Sequence, residues 1–323
     1  MKKKNHLDAF SIEQEDNGIR LDKVLFKKFQ NLNFVKVQKL IRVGFFKVNQ
    51  KRVKSNYRVN SYDLIQYNNK LVLENVDNSN NSLSQVELKY EKRIAEVKKN
   101  IIFEDNFLLV INKPSGIPVQ GGNKVGFHID LVLPFLSKDK SCLRLVHRID
   151  KDTSGILLLA KSKDIARKVT MLFRENKIKK KYLAIVIGKL NKNEGEITLP
   201  IKKNIVEGRE KMDIDYSSEE IAETFYKVID YKKELSLLEV YPKTGRKHQI
   251  RVHLKNISTP ILGDNKYFLI SNNNKNLNSK KMHLHAREIK FNLNNNKYNF
   301  TADLPSYFKD TIRDFKMDYQ YDE

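Results

Sequence analysis

The stretch His147-Arg148-Ile149-Asp150-Lys151-Asp152-Thr153-Ser154-Gly155 lies between two apolar segments of the chain. Apolar residues at positions 143, 145 and 146 have the spacing of a half-buried strand, and the run Ile156–Ala160 is typical of a buried strand. The turn formers between them predict a strand, a turn and a second strand. Asp150 is therefore expected at the edge of the first strand, where reactive side chains are often displayed. An aspartate beside a turn is also a common turn former, so position alone leaves its role open.

The region that contains this stretch is expected to form the larger of two domains. A chain of 323 residues fits two modules, each with its own core. Residues 74–100 are poor in apolar side chains and are predicted to be a linker. Residues 101–323 alternate strand-like and helix-like patterns, which predicts an α+β domain. They contain no fixed-period repeat and no glycine fingerprint of a phosphate loop or dinucleotide fold.

Residues 18–73 are predicted to form a smaller module, and residues 1–17 an amino-terminal extension. Two sets of apolar residues recur at helical spacing, the second ending before Gly44: Leu21, Val24, Leu25 and Phe29, then Val37, Leu40 and Ile41. Short strand patterns follow around the turn Asn49-Gln50-Lys51 and at Leu64-Ile65. We therefore expect two short helices and a small sheet.

The charge of the chain favours a polyanionic partner. Lys and Arg number 61 against 39 Asp and Glu, which gives a formal net charge of +22. Such an excess favours nucleic acid through phosphate neutralisation, although a lysine-rich composition can also simply supply solvated surface. In the smaller module, the basic residues expected to contact backbone phosphates of a nucleic acid are Lys39, Arg42, Lys51 and Arg52. The alternative is a solvated basic face that binds nothing.

Several classes of protein do not fit the sequence. Cys142 is the single cysteine, so no intrachain disulfide and no cysteine-based zinc ribbon can form, and a reducing cytoplasm fits. No apolar run is long enough to cross a bilayer, and the basic residues at the amino terminus are not followed by a signal core. We expect a monomeric protein without a membrane segment.

Five histidines raise the question of a metal site: His147, His248, His253, His283 and His285. Their spacings match no zinc signature. We expect no metal, and we expect these side chains to contact RNA or to pack within the sheet.

The smaller module resembles an S4 RNA-binding domain. The resemblance rests on Arg20-Leu21-Asp22-Lys23, on Gln38–Gly44, and on Val48-Asn49 with Val53-Lys54. It implies that the two helices and the hairpin after them bind RNA. The sequence departs from the family at Tyr62, where glycine usually precedes the aspartate, and at Val35, where serine is common.

The larger module resembles the pseudouridine synthases of the ribosomal large subunit type, the RluA family. The stretch that includes Asp150 resembles the catalytic motif of that family, His-Arg-Leu-Asp followed by a Thr-Ser-Gly turn. Further matching motifs occur in the same order as in the family: Asn112–Gly116 with Gly121-Gly122, Lys181–Ala184 with Val186 and Gly188, Thr244–His253, and Leu284-His285-Ala286. Pro200–Ile205 resembles a segment of one member. Ile149 and Gln120 depart from the usual residues. The resemblance implies a catalytic domain with a mostly antiparallel mixed sheet.

The resemblance also implies roles for four residues. Asp150 is the catalytic carboxylate, and Arg251 keeps it ionised against the effect of burial. Tyr182 places its ring against the target uracil, and Arg148 enters the stack that the flipped nucleotide leaves or holds that nucleotide. From the residues alone, Arg148 and Arg251 also fit phosphate contacts, with Arg251 on a strand surface, and Tyr182 also fits a core position.

The implied reaction breaks the bond between N1 of uracil and C1′, turns the base, and joins C5 to C1′. It involves no redox change, so no cofactor is expected. A carboxylate serves this reaction as a base, as a nucleophile or as an anion beside a cationic sugar, and the sequence leaves the three open. We expect site-specific isomerisation of uridine in 23S ribosomal RNA. The alternatives are the same chemistry on transfer RNA and a non-catalytic RNA-binding protein of ribosome assembly; a glycosidase lacks an identifiable paired acid.

Overall fold

The computed structural model describes residues 7–29, 32, 34–67, 85–122, 126–137, 142–206, 209–268 and 279–320. The chain divides into two compact units, Met1–Lys89 and Tyr90–Glu323. The expected fold class is confirmed, because a small α+β unit precedes a larger one that is built on a mostly antiparallel mixed sheet. Among the described residues, no helix has the length and apolar character needed to cross a bilayer.

Within its described residues, the first unit packs two α-helices on a three-stranded sheet. Its elements are β1 (Asp8–Ser11), α1 (Leu21–Lys28), α2 (Phe34–Arg42), β2 (Lys47–Val48) and β3 (Leu64–Tyr67). The strand order is β1-β3-β2, and both pairs are antiparallel. The two predicted helices are therefore present. Asp22 is fully buried and accepts hydrogen bonds from Arg20 and from Gln38, which ties the start of α1 to α2.

The amino-terminal boundary of this unit differs from the expected one. β1 lies within residues 1–17, pairs with β3, and is followed by Ile12, which is 2% exposed. These residues thus belong to the sheet, because a short strand with one buried apolar neighbour completes the core; residues 1–6 lie outside the described residues. Tyr62 adopts a left-handed backbone with φ 71° and is 83% exposed, so the tyrosine at a usual glycine position is accommodated in solvent.

Part of the linker that was predicted at residues 74–100 is a helix. Residues 85–99 are helical (α3), and Ile94 and Val97 are buried in the core of the second unit. Only two buried apolar side chains anchor this otherwise charged helix, which is why its composition resembled that of a linker. Residues 74–84 lie outside the described part of the chain.

The second unit is organised by an eleven-stranded sheet, as far as the structure describes it. Its strands are β4 (Ile101–Glu104), β5 (Leu108–Lys113), β6 (Arg144–Leu145), β7 (Ser154–Ala160), β8 (Lys179–Ile187), β9 (Glu194–Val206), β10 (Arg209–Ile214), β11 (Ile221–Lys232), β12 (Leu235–Pro242), β13 (Leu284–Leu293) and β14 (Asn296–Thr301). Its helices after α3 are α4 (Ile129–Val132), α5 (Lys163–Arg174), α6 (Gln249–Asn256) and α7 (Ser306–Asp314). The main strand order is β10-β9-β11-β12-β8-β13-β7-β5-β4, and β14 and β6 pair with β13 and β7.

Strand β13 joins two halves of this sheet. It runs antiparallel to β8 and parallel to β7, which is the parallel pair among the described strands. Ala286 of β13 lies opposite Gly155 of β7 on one side and opposite Tyr182 of β8 on the other. Neighbouring strands are about 4.8 Å apart, so Tyr182 and Gly155, on either side of Ala286, lie roughly 10 Å apart. Gly155 is the last residue of the stretch that contains Asp150.

Candidate active site

The segment between β6 and β7, residues 146–153, is called the Asp150 loop below. Val146 and Ile149 are buried on either side of His147, whose Nε2 accepts a hydrogen bond from the Leu158 amide at 2.8 Å. These contacts hold the loop against β7. They leave Asp150 at the loop end, with its side chain 19% exposed. The predicted second strand is confirmed as β7, whereas the first strand is reduced to Arg144–Leu145.

A buried lysine anchors the carboxyl side of the loop. Lys113 is fully buried, and its ammonium donates to the carbonyls of Pro114, Ile117 and Lys151 at 2.8, 2.9 and 3.1 Å. Burial lowers the pKa of Lys113 to about 7, although the nearby charges of Asp152 and Asp150 oppose the shift. The Gly116 amide also donates to the Lys151 carbonyl at 2.9 Å. The residue after Asp150 is therefore fixed by two donors.

Arg251 bridges two carboxylates from the buried side of α6. Its Nε and Nη2 donate to the two oxygens of Asp264, each at 2.7 Å, and its Nη1 donates to Asp150 Oδ2 at 2.9 Å. Arg251 is 5% exposed, so it lies on a buried helical face and not on a strand surface. Burial lowers its pKa, but the carboxylates of Asp264 and Asp150 outweigh that effect and raise it, so the guanidinium stays charged. A fixed positive charge thus stands beside Asp150.

His248 lies on another side of Asp150. It precedes α6 with a left-handed backbone (φ 56°), and its Nε2 is 3.8 Å from Asp150 Oδ2. Its Nδ1 lies 2.6 Å from the hydroxyl of Tyr267. The guanidinium of Arg251 lies over the ring of the same tyrosine, 4.9 Å from the ring centroid. Burial lowers the pKa of His248 to about 4, since Asp150 only partly offsets it, so the imidazole is neutral near pH 7.

A cavity of about 610 Å³ opens beside Asp150 on the Tyr182 side. Its wall includes Arg148, Asp150, Tyr182 and Arg251, so the structure brings together the four residues selected from the sequence. Burial and the charge of Asp150 raise the pKa of the Tyr182 hydroxyl, which therefore stays protonated. Arg148 is exposed at the rim. The arrangement suits a flat, uncharged base held next to a carboxylate.

Lys180 lies in the same cavity wall and was not selected from the sequence. Its ammonium donates to the Thr244 carbonyl at 3.3 Å, and the described residues give it no carboxylate partner. Burial lowers its pKa to about 8. By contrast, the neighbouring Lys181 pairs with Glu239 and Glu288. A cation without a protein anion in a cavity is a natural contact for an anionic or carbonyl group of a ligand.

A second cavity, of about 830 Å³, reaches Asp150 from another direction. It shares Asp150, His248 and Arg251 with the first cavity. Its wall carries the lysines Lys151, Lys211, Lys266, Lys280 and Lys281. Asp150 is thus accessible from two basic cavities, which suits a nucleotide that stays attached to its chain.

The four basic residues selected in the first unit are all exposed: Lys39, Arg42, Lys51 and Arg52. Lys39 and Arg42 lie in the last turn of α2. The Arg52 side chain lies across Gly44, so close that a Cβ there would meet its Nε at 2.2 Å. Arg52 is thereby held beside the end of α2. Within the described ranges, none of the four makes an ion pair, so their charges remain available to phosphates.

The remaining histidines are hydrogen-bonded or packed within the sheet domain. His285 contacts Ser154 Oγ at 2.9 Å and the Ala302 carbonyl at 3.1 Å, and His283 contacts Thr311 and the Lys281 carbonyl. The part of the chain that the structure describes contains no group of three or more His, Cys, Asp or Glu side chains arranged to hold a metal ion.

The sequence did not indicate four features around Asp150: Asp264, Tyr267, Lys180 and the position of His248 beside it. Asp264 and Tyr267 lie outside the motifs that were selected, and their contacts depend on the return of the chain after α6. One signal was available for His248, because it lies in the same motif as Arg251, Thr244–His253. Lys180 gave no such signal, because it belongs to a run of basic residues.

Comparison with known proteins agrees with this geometry. Residues 107–256 match the family model described as RNA pseudouridylate synthase, and residues 19–65 match the S4 domain model. A protein of Rickettsia bellii (strain RML369-C), named ribosomal large subunit pseudouridine synthase C, is 35% identical over 292 residues, which cover 90% of this chain and 95% of the relative. A protein of the same name from Haemophilus ducreyi (strain 35000HP / ATCC 700724) is 33% identical over 290 residues, covering 88% of each.

A solved structure, human RNA Pseudouridylate Synthase Domain Containing 4, is also similar. It has a TM-score of 0.61 and 30% identity, and the match covers 72% of this chain and 99% of that one. The residues that match the synthase family model include the Asp150 loop, β8 and Arg251. With its S4 domain in front of a synthase domain, the chain belongs to the RNA pseudouridine synthase family.

Proposed function

We propose that this RNA pseudouridine synthase isomerises specific uridines of 23S ribosomal RNA, with Asp150 as its catalytic carboxylate. The names of the relatives from Rickettsia bellii and Haemophilus ducreyi support the large-subunit substrate. The observation that carries the catalytic assignment is the 2.9 Å contact from Arg251 to Asp150, in the wall of a cavity that also contains Tyr182. An ionised carboxylate beside a pocket for a base is what the reaction requires.

In this proposal the target uridine is flipped out of the RNA, because its glycosidic bond is inaccessible inside a stack. The base of the target uridine lies against the ring of Tyr182. Arg148, which is exposed, occupies the position in the RNA stack that the flipped base leaves. The C1′–N1 bond breaks, and the base turns within the cavity. C5 then bonds to C1′, and the proton on C5 is lost while N1 gains one. The product is an isomer of the substrate, so the proposal includes no cofactor and no metal.

Affinity for the RNA comes from both domains. Lys39, Arg42, Lys51 and Arg52 bind phosphates from the S4 domain, because they are exposed and the described residues leave their charges unpaired. The basic walls of the two cavities bind the nucleotides around the target. We propose that the protein works as a monomer in the cytoplasm, where ribosomal RNA is available.

The test is to map pseudouridines in ribosomal RNA by carbodiimide blocking, with and without the gene. Deletion is expected to remove specific sites from 23S RNA, and the wild-type gene is expected to restore them. Asp150→Asn should fail to restore them, whereas Asp164→Asn on the exposed face of α5 should succeed. Restoration by Asp150→Asn would overturn the catalytic assignment. Unchanged 23S RNA together with missing sites in transfer RNA would overturn the substrate assignment.

A further inference from the structure

Tyr267 contacts both side chains that face Asp150. Its hydroxyl lies 2.6 Å from His248 Nδ1, and its ring lies under the guanidinium of Arg251. Tyr267 is 6% exposed, and its amide donates to the Asp264 carbonyl at 3.2 Å. The segment that supplies the carboxylate partner of Arg251 therefore also fixes this tyrosine. A single aromatic side chain connects the two groups around the catalytic carboxylate.

The hydrogen bonds around Tyr267 favour one position for the ring proton of His248. The Met212 amide of β10 donates to the Tyr267 hydroxyl oxygen at 3.2 Å, so that oxygen acts as an acceptor on one side. Its own proton is then available to His248 Nδ1, 2.6 Å away, and the Nε2–H form that this bond selects also places a donor toward the carboxylate of Asp150. Because burial keeps the imidazole neutral, the remaining ring proton is on Nε2. Nε2 is the atom that faces Asp150 Oδ2.

The backbone of His248 supports a positional role. Its left-handed conformation, with φ 56°, is uncommon for a residue other than glycine, and strain of this kind persists where the surroundings determine it. The conformation turns the side chain at the start of α6 toward Asp150 and Tyr267. An ordinary helix start needs no such conformation, and the residue provides no side-chain cap.

The two neighbours act on one oxygen of Asp150. Arg251 Nη1 donates to Oδ2 at 2.9 Å, and His248 Nε2 lies 3.8 Å from the same atom. Within the described residues, Oδ1 receives no hydrogen bond from the protein. One oxygen is thus oriented by the protein, and the other remains free toward the cavities.

We propose that Tyr267 and His248 are positioning residues, which hold Asp150 Oδ2 beside an Nε2–H donor so that Oδ1 is the oxygen that meets the ribose. The inference rests on the proposed role of Asp150. The hydroxyl of Tyr267 selects the Nε2–H form of His248, and its ring supports Arg251. Without the hydroxyl, the imidazole proton can move to Nδ1, and an Nε2 lone pair then faces the carboxylate and repels it.

The first test compares Tyr267→Phe with Tyr298→Phe. Tyr298 also has a hydroxyl contact to lose, its 2.8 Å bond to Asp105, but it lies outside both cavity walls. The assay is single-turnover release of tritium, at saturating enzyme, from a 23S RNA transcript that carries the label on uridine C5. Tyr267→Phe is expected to lower the rate constant by about tenfold with unchanged RNA affinity, as expected for the loss of one oriented hydrogen bond. Tyr298→Phe should keep the wild-type rate.

The second test observes the imidazole directly. Two-bond ¹H–¹⁵N correlation spectra of the ¹⁵N-histidine-labelled protein should show His248 neutral, with its proton on Nε2. Tyr267→Phe should convert this to a mixture of the two neutral forms. His248→Gln retains an N–H near the Nε2 position and should keep more activity than His248→Asn, which does not reach it. This comparison holds even where Tyr267→Phe fails to fold.

A proton on Nδ1 in the wild-type protein, or a Tyr267→Phe rate equal to that of the wild type, would overturn the inference. Asp150→Asn in the same assay separates this failure from that of the proposed function. If Asp150→Asn is inactive while Tyr267→Phe is fully active, only the positioning role is wrong. If Asp150→Asn is fully active, the catalytic assignment itself is wrong.

Discussion

At the scale of single residues, Arg251 makes three hydrogen bonds to two carboxylates that the chain supplies from different segments. The planar guanidinium satisfies Asp264 with two donors and reaches Asp150 with a third. A lysine ammonium at this place retains the charge but not the fork. The contact with Asp150 therefore depends on the shape of the cation as well as on its sign.

We expect Arg251→Lys to lower the single-turnover rate constant by about a hundredfold, because the loss of oriented stabilisation at a reacting group is of this order. It should also lower the free energy of unfolding by about 1–3 kcal/mol, since Asp264 loses a buried partner. Tritium release and urea unfolding measure the two effects. Arg313→Lys, at an exposed ion pair with Asp310, is the control. Wild-type turnover in Arg251→Lys would contradict the assignment.

The lowered pKa of Lys180 leads us to expect that RNA binding depends on pH. Burial lowers its pKa from the ordinary 10.5 to about 8, so the ammonium is charged below pH 8 and loses its charge as the pH rises through that value. We expect RNA affinity to fall across this range and Lys180→Met to remove that part of the dependence. Lys181→Met is the control, because Lys181 already pairs with Glu239 and Glu288. Filter binding on both sides of the Lys180 pKa measures the difference; an unchanged profile in Lys180→Met would count against the role.

The sequence was informative about residues that lie in local motifs. It predicted that Asp150, Arg251 and Tyr182 belong to one site, and the structure places them in one cavity wall, although their roles stay predictions. The sequence did not predict Asp264 and Tyr267 as site residues, because they reach the site only through tertiary contacts with Arg251 and His248. Local spacing does not encode such contacts.

At the scale of elements, the approach of β7 to β13 depends on Gly155. Its φ is +107°, and an added Cβ would lie 2.3 Å from the Ala286 carbonyl oxygen of β13. Neither backbone can move without disturbing the sheet on both sides. Ala286 also pairs with Tyr182 of β8. The distance between β7 and β13 at Gly155 therefore also sets the distance between β7 and Tyr182.

We expect Gly155→Ala to lower the free energy of unfolding by more than about 3 kcal/mol, because the collision adds to the backbone strain. Gly116→Ala is the matched variant: its φ of +89° is similarly unfavourable, but a Cβ there meets no atom within 4 Å. It should lower the free energy of unfolding by only about 1–2 kcal/mol. Chemical unfolding of the two variants measures the difference, and equal effects would show that steric contact with β13 is unimportant.

Elements with continuous apolar runs were easier to predict than those with sparse ones. β7 is buried at every position, and its run of aliphatic residues predicted it. α3 and β1 have sequences typical of a linker and of an extension, because α3 has only Ile94 and Val97 buried and β1 has only its neighbour Ile12 buried. The strand order of the sheet had no local signal at all, since it is set by long-range pairing.

At the scale of the whole molecule, the excess positive charge serves two domains with different tasks. We expect substitution of Lys39, Arg42, Lys51 and Arg52 by glutamine to weaken RNA binding. The slope of log affinity against log salt should fall by about 0.7–0.9 for each phosphate that the variant no longer neutralises. The single-turnover rate at saturating enzyme should stay unchanged, because the S4 domain supplies affinity and not chemistry.

The control for this prediction removes charge from another surface of the same domain. Lys23, Lys27 and Lys28 on α1 are exposed and carry three positive charges against four in the first set, with Lys27 paired to Asp16. Their substitution by glutamine should change the salt slope much less. An equal effect of the two sets would mean that net charge alone, and not the surface at the end of α2, governs binding.

The position of β13 has a consequence for how the enzyme is made. Asp150 lies beside β7 on one half of the sheet, while Tyr182 and Arg251 belong to the other half, and residues 284–293 join the two. Protein synthesis supplies this strand after the residues of both halves, because Leu284, its first residue, follows Asp150, Tyr182 and Arg251 in the sequence. A nascent chain can therefore bind RNA through its finished S4 domain well before it can modify any uridine. Premature termination before β13 would leave an RNA-binding fragment that competes with the complete enzyme.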